Sequence, residues 1–501
     1  MTAGTQKLHP ALPRIKAESI ALPSRAIAAD APNTPASFAK RAYDAAAGLP
    51  SVVLLSGTDH PCSRRSYAAL KPAMIFESKN GRCRLLSARG AMEFDADPFE
   101  TLGQLLAHWW IDDAEVGTPI VAGYVAYEAG RAIEVLPGRA TDALALPDIW
   151  MCCPTELRLL THGSMQEARF EIRWSDEIGI LPPLSSRDNG MRFSDTATPR
   201  VNASPGTTGT TPDAKRTADR TFDRESYAAA VERVRAHIYE GDVYQVNLSQ
   251  RYRFPLLEDA FSLWLKLFGE NPAPFYAWID AGDHQILSTS MERFFRIDGE
   301  RIETRPIKGT RPRGANEEEA QRFAAELLSS EKDDAELSMI VDLERNDLGK
   351  ICGAGSVRVA AHKQIERYAN VQHLVSVVEG TLLPGTGIAE IFRALFPGGS
   401  ITGCPKIRAM EIIDAIEAET RHAYTGSIGF IAADGSADFN IAIRTAIVRD
   451  GMCNLSVGGG IVYDSDPLEE YFETLHKGRT FFQLAGISSE LDSGLAPLAG
   501  A

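Results

Sequence analysis

The stretch 427–462, SIGFIAADGSADFNIAIRTAIVRDGMCNLSVGGGIV, limits the fold more than any other part of the chain. Apolar residues recur on both sides of Asp434-Gly435 and Asp450-Gly451, dipeptides suited to tight hairpin turns. It therefore reads as a three-strand antiparallel meander. A second hairpin, FFRI-DG-ERIETRPI over 294–307, turns about Asp298-Gly299. Helices are expected after Asp223, with apolar stripe Tyr227, Val231, Val234 and Ile238, and at about 316–330, 333–349, 387–396, 405–419 and 467–484. Asn316 with Glu319, and Asp466 with Glu469, make capping boxes. In the first half 51–57 reads as a buried strand, 83–97 as two strands, 119–134 as strand then helix, and 148–175 as a second β region. Strands and helices do not alternate strictly. The expected class is therefore α+β with antiparallel sheets, not a doubly wound parallel sheet.

Composition narrows the function classes. The 501 residues carry Lys+Arg 52 against Asp+Glu 67, a net charge of −15, with no basic run. That disfavours nucleic acid and anionic membranes as partners. No apolar run reaches the ~18–20 residues of a membrane span, and the N-terminus shows no secretory h-region. The seven cysteines include no C-x-x-C pair, which fits reduced thiols in the cytoplasm. The expected organisation is an irregular N-terminal segment over 1–35, an N-terminal subdomain over 36–181, a flexible linker over 182–220, rich in Thr, Ser, Pro and Gly, a catalytic domain over 221–487 and a tail over 488–501.

Several polar groups converge on paper. Pairing about Asp298-Gly299 sets Glu292 across from roughly residue 305, so Lys308 lies near it; the alternative is a surface cross-strand ion pair. Folding at the two Asp-Gly turns sets Arg444 beside Tyr424 and beside Gly458-Gly459-Gly460. A guanidinium next to bare backbone N–H groups suits a carboxylate, although the glycines could equally serve a bulge. Glu470, Glu473 and Lys477 share one helix face, and Asp333 and Glu336 repeat the acid spacing. Two acidic faces that met would need a cation, and an all-oxygen set favours Mg²⁺; two solvated faces are the plain alternative. The loop 396–412 offers Ser400 before a helix N-terminus able to hold an anion, but there is no Walker A, G-x-S-x-G or H-E-x-x-H motif. His373 alone reads as a structural histidine.

Taken together, RPIKGTRPRG (305–314), MIVDLERNDLGKI (339–351), FPGGSITGCPKIRAMEII (396–413), RHAYTGSIG (421–429), NIAIRTA (440–446) and GGGIVYDSDPLEEYFETLHK (458–477) resemble the chorismate-utilising enzymes, over about 222–485. VVLLSGTDHPCSR (52–64) and GYVAYEAGR (123–131) resemble the N-terminal part of the amine-forming members. The resemblance implies two large antiparallel sheets packed together and ringed by helices, with the site between them. It implies Glu336 and Glu473 as Mg²⁺ ligands with Asp333 and Glu470 assisting, and Glu292 as general acid. Arg444, Tyr424 and the Gly458–Gly460 backbone would hold the enolpyruvyl carboxylate of chorismate; Lys477, Ser400 and His373 would complete the pocket. Gln245 stands where water-using members carry a lysine base. Lys308 stands where anthranilate synthases usually have alanine, and marks aminodeoxychorismate synthase component I, with Lys308 as covalent nucleophile; anthranilate synthase component I is the alternative. Ammonia would come from a glutamine amidotransferase subunit. Ser56, Tyr244, Pro274 and Phe275 match positions of a tryptophan pocket in relatives, with core packing as the alternative.

Overall fold

The computed structural model describes residues 15–22, 33–57, 60–112, 118–176, 179–180 and 216–488. Among them the strands form a large, almost wholly antiparallel network flanked by helices, as expected for the α+β class. Two runs of strands can be followed. The first passes from Gln245–Pro255 through Met452–Ile461, Thr445–Arg449, Gln285–Ser290 and Phe275–Asp280 to Ser51–Leu55. The second passes from Val371–Thr381 through Arg301–Arg305, Arg293–Asp298, Ala437–Ile441 and Ser427–Ala432 to Pro119–Val125. Both end on the long strands Arg65–Lys79 and Ile149–Thr161, which pair with each other. Arg65–Lys79 can serve both because it bends. Lys71 has φ 52°, and its register with Ile149–Thr161 shifts between Pro72 and Met74. Such a bulge lets a strand leave one sheet for another.

Between the runs lies an apolar layer. Val52, Ala277, Ile279, Ile286 and Ile447 come from the first, Ala122, Tyr124 and Ile428 from the second, and Trp150 from a long shared strand. Helices Arg224–Tyr239 and Pro467–Leu484 cover the outer face of the first run; Glu331–Gly349 covers the second. The helices begin where the caps placed them. Asp223, Asn316 and Asp466 each accept backbone N–H groups of the first turn.

The chain steps directly from one run to the other at Ser290–Arg293 and again at Ile441–Thr445. The second step corrects the expected three-strand meander. The stretch 427–462 is two hairpins in different runs, split where Ala442 bonds to the Gly426 carbonyl and Arg444 turns to φ 49°. Alternation alone hides the split, because Ala442 and Ile443 continue the apolar pattern through it.

Other expectations also shift. The segment 1–35 contains strand Ile15–Leu22, held antiparallel to Gln166–Asp176 and parallel to Trp109–Asp112. Its partners are remote in sequence, so composition averaged over the segment could not reveal it. The helix expected within 119–134 is a 3₁₀ turn, Tyr127–Ala132. The expected linker lies outside the described residues up to 215, and Asp219–Arg220 already pairs with Gln245–Pro255. The expected tail lies outside them from 489. Segments 36–181 and 221–487 interleave, because Ser51–Leu55 pairs with Phe275–Asp280 and Pro119–Val125 with Ser427–Ala432. No helix among the described residues is long and apolar enough to cross a membrane. The seven cysteines are free thiols.

Candidate functional site

Opposite their shared strands, the far ends of the two runs face each other. Gln245–Pro255 ends the first; Ile307–Pro312 and Val371–Thr381 end the second. Side chains bridge the gap. A Cβ on Gly460 would lie 2.8 Å from Gln245 Nε2 and 3.2 Å from Lys308 Nζ, so the lysine of one run reaches the bare backbone of the other. Lys308 Nζ is also 3.2 Å from Glu336 Oε2 on helix Glu331–Gly349.

Glu292 sits at the first crossing between runs. Arg293 pairs with Arg305 in register, which fixes Glu292 opposite Pro306, near Lys308. Its carboxyl is buried, and burial pushes its pKa up to about 7; the Ser400 hydroxyl, the Lys308 ammonium and the Ile307 N–H each pull it back down. It is therefore an acid poised to give its proton near neutrality. Arg444 sits at the second crossing. No ion pair involving its guanidinium is found among the described residues, and it lies close enough to His373 to act on that ring. Burial first, then Arg444, drives the His373 pKa down to about 3, so the imidazole is neutral. His373 Nδ1 is 3.2 Å from the Gly309 carbonyl and 3.0 Å from Thr310 Oγ1. A proton on Nδ1 for that carbonyl leaves Nε2 as a buried acceptor, and it has no partner. Tyr424 is buried, and the following Thr425 N–H bonds to the Ala442 carbonyl, two residues before Arg444.

On the helix side of the first run, a Cβ on Gly459 would lie 3.2 Å from Glu470 Oε2, 3.4 Å from Glu473 Oε1 and 3.6 Å from Lys477 Nζ. Lys477 bonds to Glu473 Oε1 at 2.6 Å and to the Gly458 carbonyl at 2.9 Å. The charges are polarised. The Lys477 ammonium holds Glu473 below the usual carboxylate range, whereas burial and then the Glu473 charge push Glu470 up to about 7. Glu470 Oε1 accepts from Ser465 Oγ at 2.6 Å, while Oε2 is buried and unpartnered.

The structure thus brings together Gln245, Glu292, Lys308, Glu336, His373, Ser400, Arg444, Gly458–Gly460, Glu470, Glu473 and Lys477. Asp333 lies against Gly309, with Arg311 Nη2 3.6 Å from its carboxylate. Arg311 belongs to strand Ile307–Pro312, which also carries Lys308, so this strand supplies cations to both Asp333 and Glu336. Among the described residues, the group whose ligand atoms all lie within 4.8 Å of one another is His237, Glu240 and Asp242, at the surface, where Arg408 already holds Asp242. The acids at the gap are spread wider than that and are partly neutralised by lysines.

Ser56, Pro274 and Phe275 line a separate cavity of about 360 Å³ between the two runs, with Cys62, Arg64, Ile428, Ala437 and Asn440. Ser56 Oγ donates to the Pro274 carbonyl at 2.7 Å. Tyr244 is not there: it is 71% exposed, its N–H bonded to the Cys404 carbonyl before the strand begins. Sequence reasoning also missed Lys332, whose charge acts on both Glu470 and Glu473, and the unpartnered Asn247 Oδ1. The signal for Asn247 was present in its alternation with Gln245 on one face.

Comparison with known proteins agrees with this geometry. The chorismate binding enzyme family matches residues 52–483. Anthranilate synthase component 1 of Haloarcula marismortui is 39% identical over 73% of this chain and 76% of its own. Aminodeoxychorismate synthase component 1 of Bacillus subtilis is 34% identical over 85% of this chain and 90% of its own. The crystal structure of anthranilate synthase component I from Streptococcus pneumoniae superposes with a TM-score of 0.67 at 28% identity, covering 85% of this chain and 93% of that one. The menaquinone-specific isochorismate synthase of Escherichia coli shares the fold at TM-score 0.68 and 17% identity, covering 96% of each chain. With two crossings, a glycine floor and an acid cluster at the meeting of two sheets, and a family match across most of its length, the chain belongs to the chorismate binding enzymes.

Proposed function

We propose that the chain is the chorismate-aminating component of an aminodeoxychorismate synthase, forming 4-amino-4-deoxychorismate on the way to para-aminobenzoate and folate. The observation that carries this reading is Lys308. Its ammonium reaches the Gly460 backbone and lies near Glu292, where a nucleophile and a general acid are needed together. Chorismate would lie over the Gly458–Gly460 floor, its enolpyruvyl carboxylate on Arg444 and Tyr424, with Ser400, His373 Nε2 and Lys477 around it. As the C4 hydroxyl leaves as water with the Glu292 proton, Lys308, having first given up a proton to solvent, bonds through its amine to ring C2. Ammonia then bonds to C4 and the C2–lysine bond breaks, returning the amine. Hydroxide is a poor leaving group, which is why the acid must still hold its proton near neutral pH.

The donor set also fits Mg²⁺. Glu470 offers an unpartnered buried carboxylate oxygen, with Glu473 beside it, and Glu336 on helix Glu331–Gly349 pairs with Lys308, whose charge also acts on Glu473. Glu336, Glu473 and Glu470 would hold the ion, which supplies a positive charge for the ring carboxylate of chorismate. Ammonia would be delivered by a glutamine amidotransferase subunit, as the relatives' designation of component 1 supports. The cavity at Ser56, Pro274 and Phe275 is read as a pocket for tryptophan.

A second reading, anthranilate synthase component I, is favoured by the relatives from Haloarcula marismortui and Thermus thermophilus, 39% and 38% identical. The test is product identification after incubation with chorismate, Mg²⁺ and ammonium. 4-Amino-4-deoxychorismate supports the first reading; anthranilate with pyruvate replaces it by the second.

A further inference from the structure

The wall of the cavity of about 360 Å³ carries a thiol, Cys62, and two exposed arginines, Arg64 and Arg65, through which the cavity opens to solvent. Cys62 is half-buried and has a set of chemical partners. His60 lies two residues before it. Its Nδ1 is 3.1 Å from the Cys62 backbone nitrogen, and its ring is bonded to the thiol as well. The opposite ring nitrogen, Nε2, is 2.7 Å from Glu366 Oε2. The imidazole therefore bridges a thiol and a carboxylate, the arrangement of a nucleophile, its base and the group that orients the base. Tyr368 fixes the ring further. It stacks on His60 with centroids 5.0 Å apart, and its hydroxyl donates to Glu366 Oε2 at 3.2 Å.

Arg293 is a further partner of the sulfur. Its Nη1 donates to Cys62 Sγ at 3.4 Å. This guanidinium is buried and held in place: Asp438 accepts from Nε and Nη2 at 2.9 Å each, and Glu303 shares Nη1 at 2.9 Å. The Arg305 charge interacts with the same thiol. The acids facing this group, Asp438, Glu303 and Glu366, are each bonded to one of its cations. Burial alone would lower the His60 pKa, but its bonds to Cys62 and Glu366 outweigh burial and raise it to about 9. The ring thus readily holds a proton taken from the sulfur. A cationic, partly open setting of this kind is what makes a cysteine reactive. Cys404, the other half-buried thiol, has the opposite setting: burial and the Asp347 charge push its pKa up.

We propose that Cys62 is an oxidisable thiol that reacts with small hydroperoxides, with His60 as its base and Arg293 as the donor that holds the oxidised sulfur. The Cys62 proton passes to His60. Sulfur attacks the hydroxyl oxygen of the hydroperoxide; an S–O bond forms and the O–O bond breaks. The departing alkoxide or hydroxide takes the proton from His60 and leaves as alcohol or water. Sulfur gives up two electrons and becomes a sulfenic acid, and the hydroperoxide is reduced by the same two. The cavity gives the added oxygen room. This chemistry is independent of which amine the active site makes.

The test treats the full-length protein with hydrogen peroxide at pH 7 in the presence of dimedone, which traps sulfenic acids, and follows each cysteine by peptide mass spectrometry. Cys62 should be trapped at least about tenfold faster than Cys404. Glu366→Gln and His60→Gln should each slow trapping at Cys62 about tenfold or more, with the Cys404 rate unchanged. The buried Cys153 reports unfolding, so variants are compared only where it stays unlabelled. Equal rates at Cys62 and Cys404 in the wild type overturn the proposal whether or not the variants fold. A Cys62 rate unchanged in a folded His60→Gln or Glu366→Gln protein overturns it as well.

Discussion

At the scale of single residues, two groups carry opposite protonation demands within one small volume. Glu292 must keep a proton that burial helps it keep, and Lys308 must lose one. Because the Glu292 pKa is raised to about 7, the protonated acid is present below that value and is lost as pH rises through it. At fixed free ammonia, the rate should therefore fall on the alkaline side with an apparent midpoint near 7. A rate that stays flat to well above that pH would show that Glu292 is not the acid. Glu292→Gln should lower kcat by about 10²–10⁴-fold, the usual worth of a positioned acid. Lys308→Ala should depress amination by at least two orders of magnitude while leaving the fold intact. Trapping with mild proteolysis and mass spectrometry should find a chorismate-derived adduct on Lys308 in the wild type and none in the variant.

At the scale of elements, the three glycines of strand Met452–Ile461 have different duties. A Cβ on Gly458 would meet the Leu248 carbonyl at 2.6 Å and Ser249 Cβ at 2.8 Å, both on the neighbouring strand. Gly458→Ala should therefore destabilise the protein by about 1–3 kcal/mol, read as a lower denaturation midpoint. A Cβ on Gly460 meets only the movable ends of Gln245 and Lys308 in first approach. Gly460→Ala should leave the midpoint nearly unchanged and cut turnover instead. The reverse pattern would mean the floor has been assigned the wrong way round.

Local structure was largely legible from sequence because its signals are local. The caps at Asp223, Asn316 and Asp466, the 293–305 register and the Asp434-Gly435 and Asp450-Gly451 turns all follow from residues within a few positions of one another. What escaped depends on partners far along the chain. The split at Ala442–Arg444 arises because consecutive hairpins join different runs. Strand Ile15–Leu22 needs Gln166–Asp176, and Asp333 is taken by Arg311. Tyr244 lies just before its strand begins at Gln245, where the alternation of faces does not yet hold its side chain inward. The roles of Glu292, Arg444 and the acids came from a resemblance between motifs; spacing alone left each beside an ordinary alternative.

At the scale of the whole molecule, both crossings bring a functional group to the boundary between the runs. The cavity of about 360 Å³ is lined from both, by Ser56 and Phe275 on one side and Ile428 and Ala437 on the other. Tryptophan, if it fills this cavity, should raise the melting temperature in proportion to the logarithm of its concentration. A bulky Ala437→Phe substitution should abolish that rise; an unshifted melting curve for wild type would remove tryptophan from the pocket.

Among the described residues, strand pairing carries the two runs from Gln245–Pro255 round to Ile307–Pro312, and the circuit is left open at the gap bounded by Gly460 and Lys308. Whatever occupies that opening serves as the keystone of an arch: small in area, but completing the load path between both free ends. Bound chorismate should therefore slow amide hydrogen exchange along Gln245–Pro255 and Ile307–Pro312 at once, including positions it never touches, and turnover should periodically loosen the same two strands as product departs.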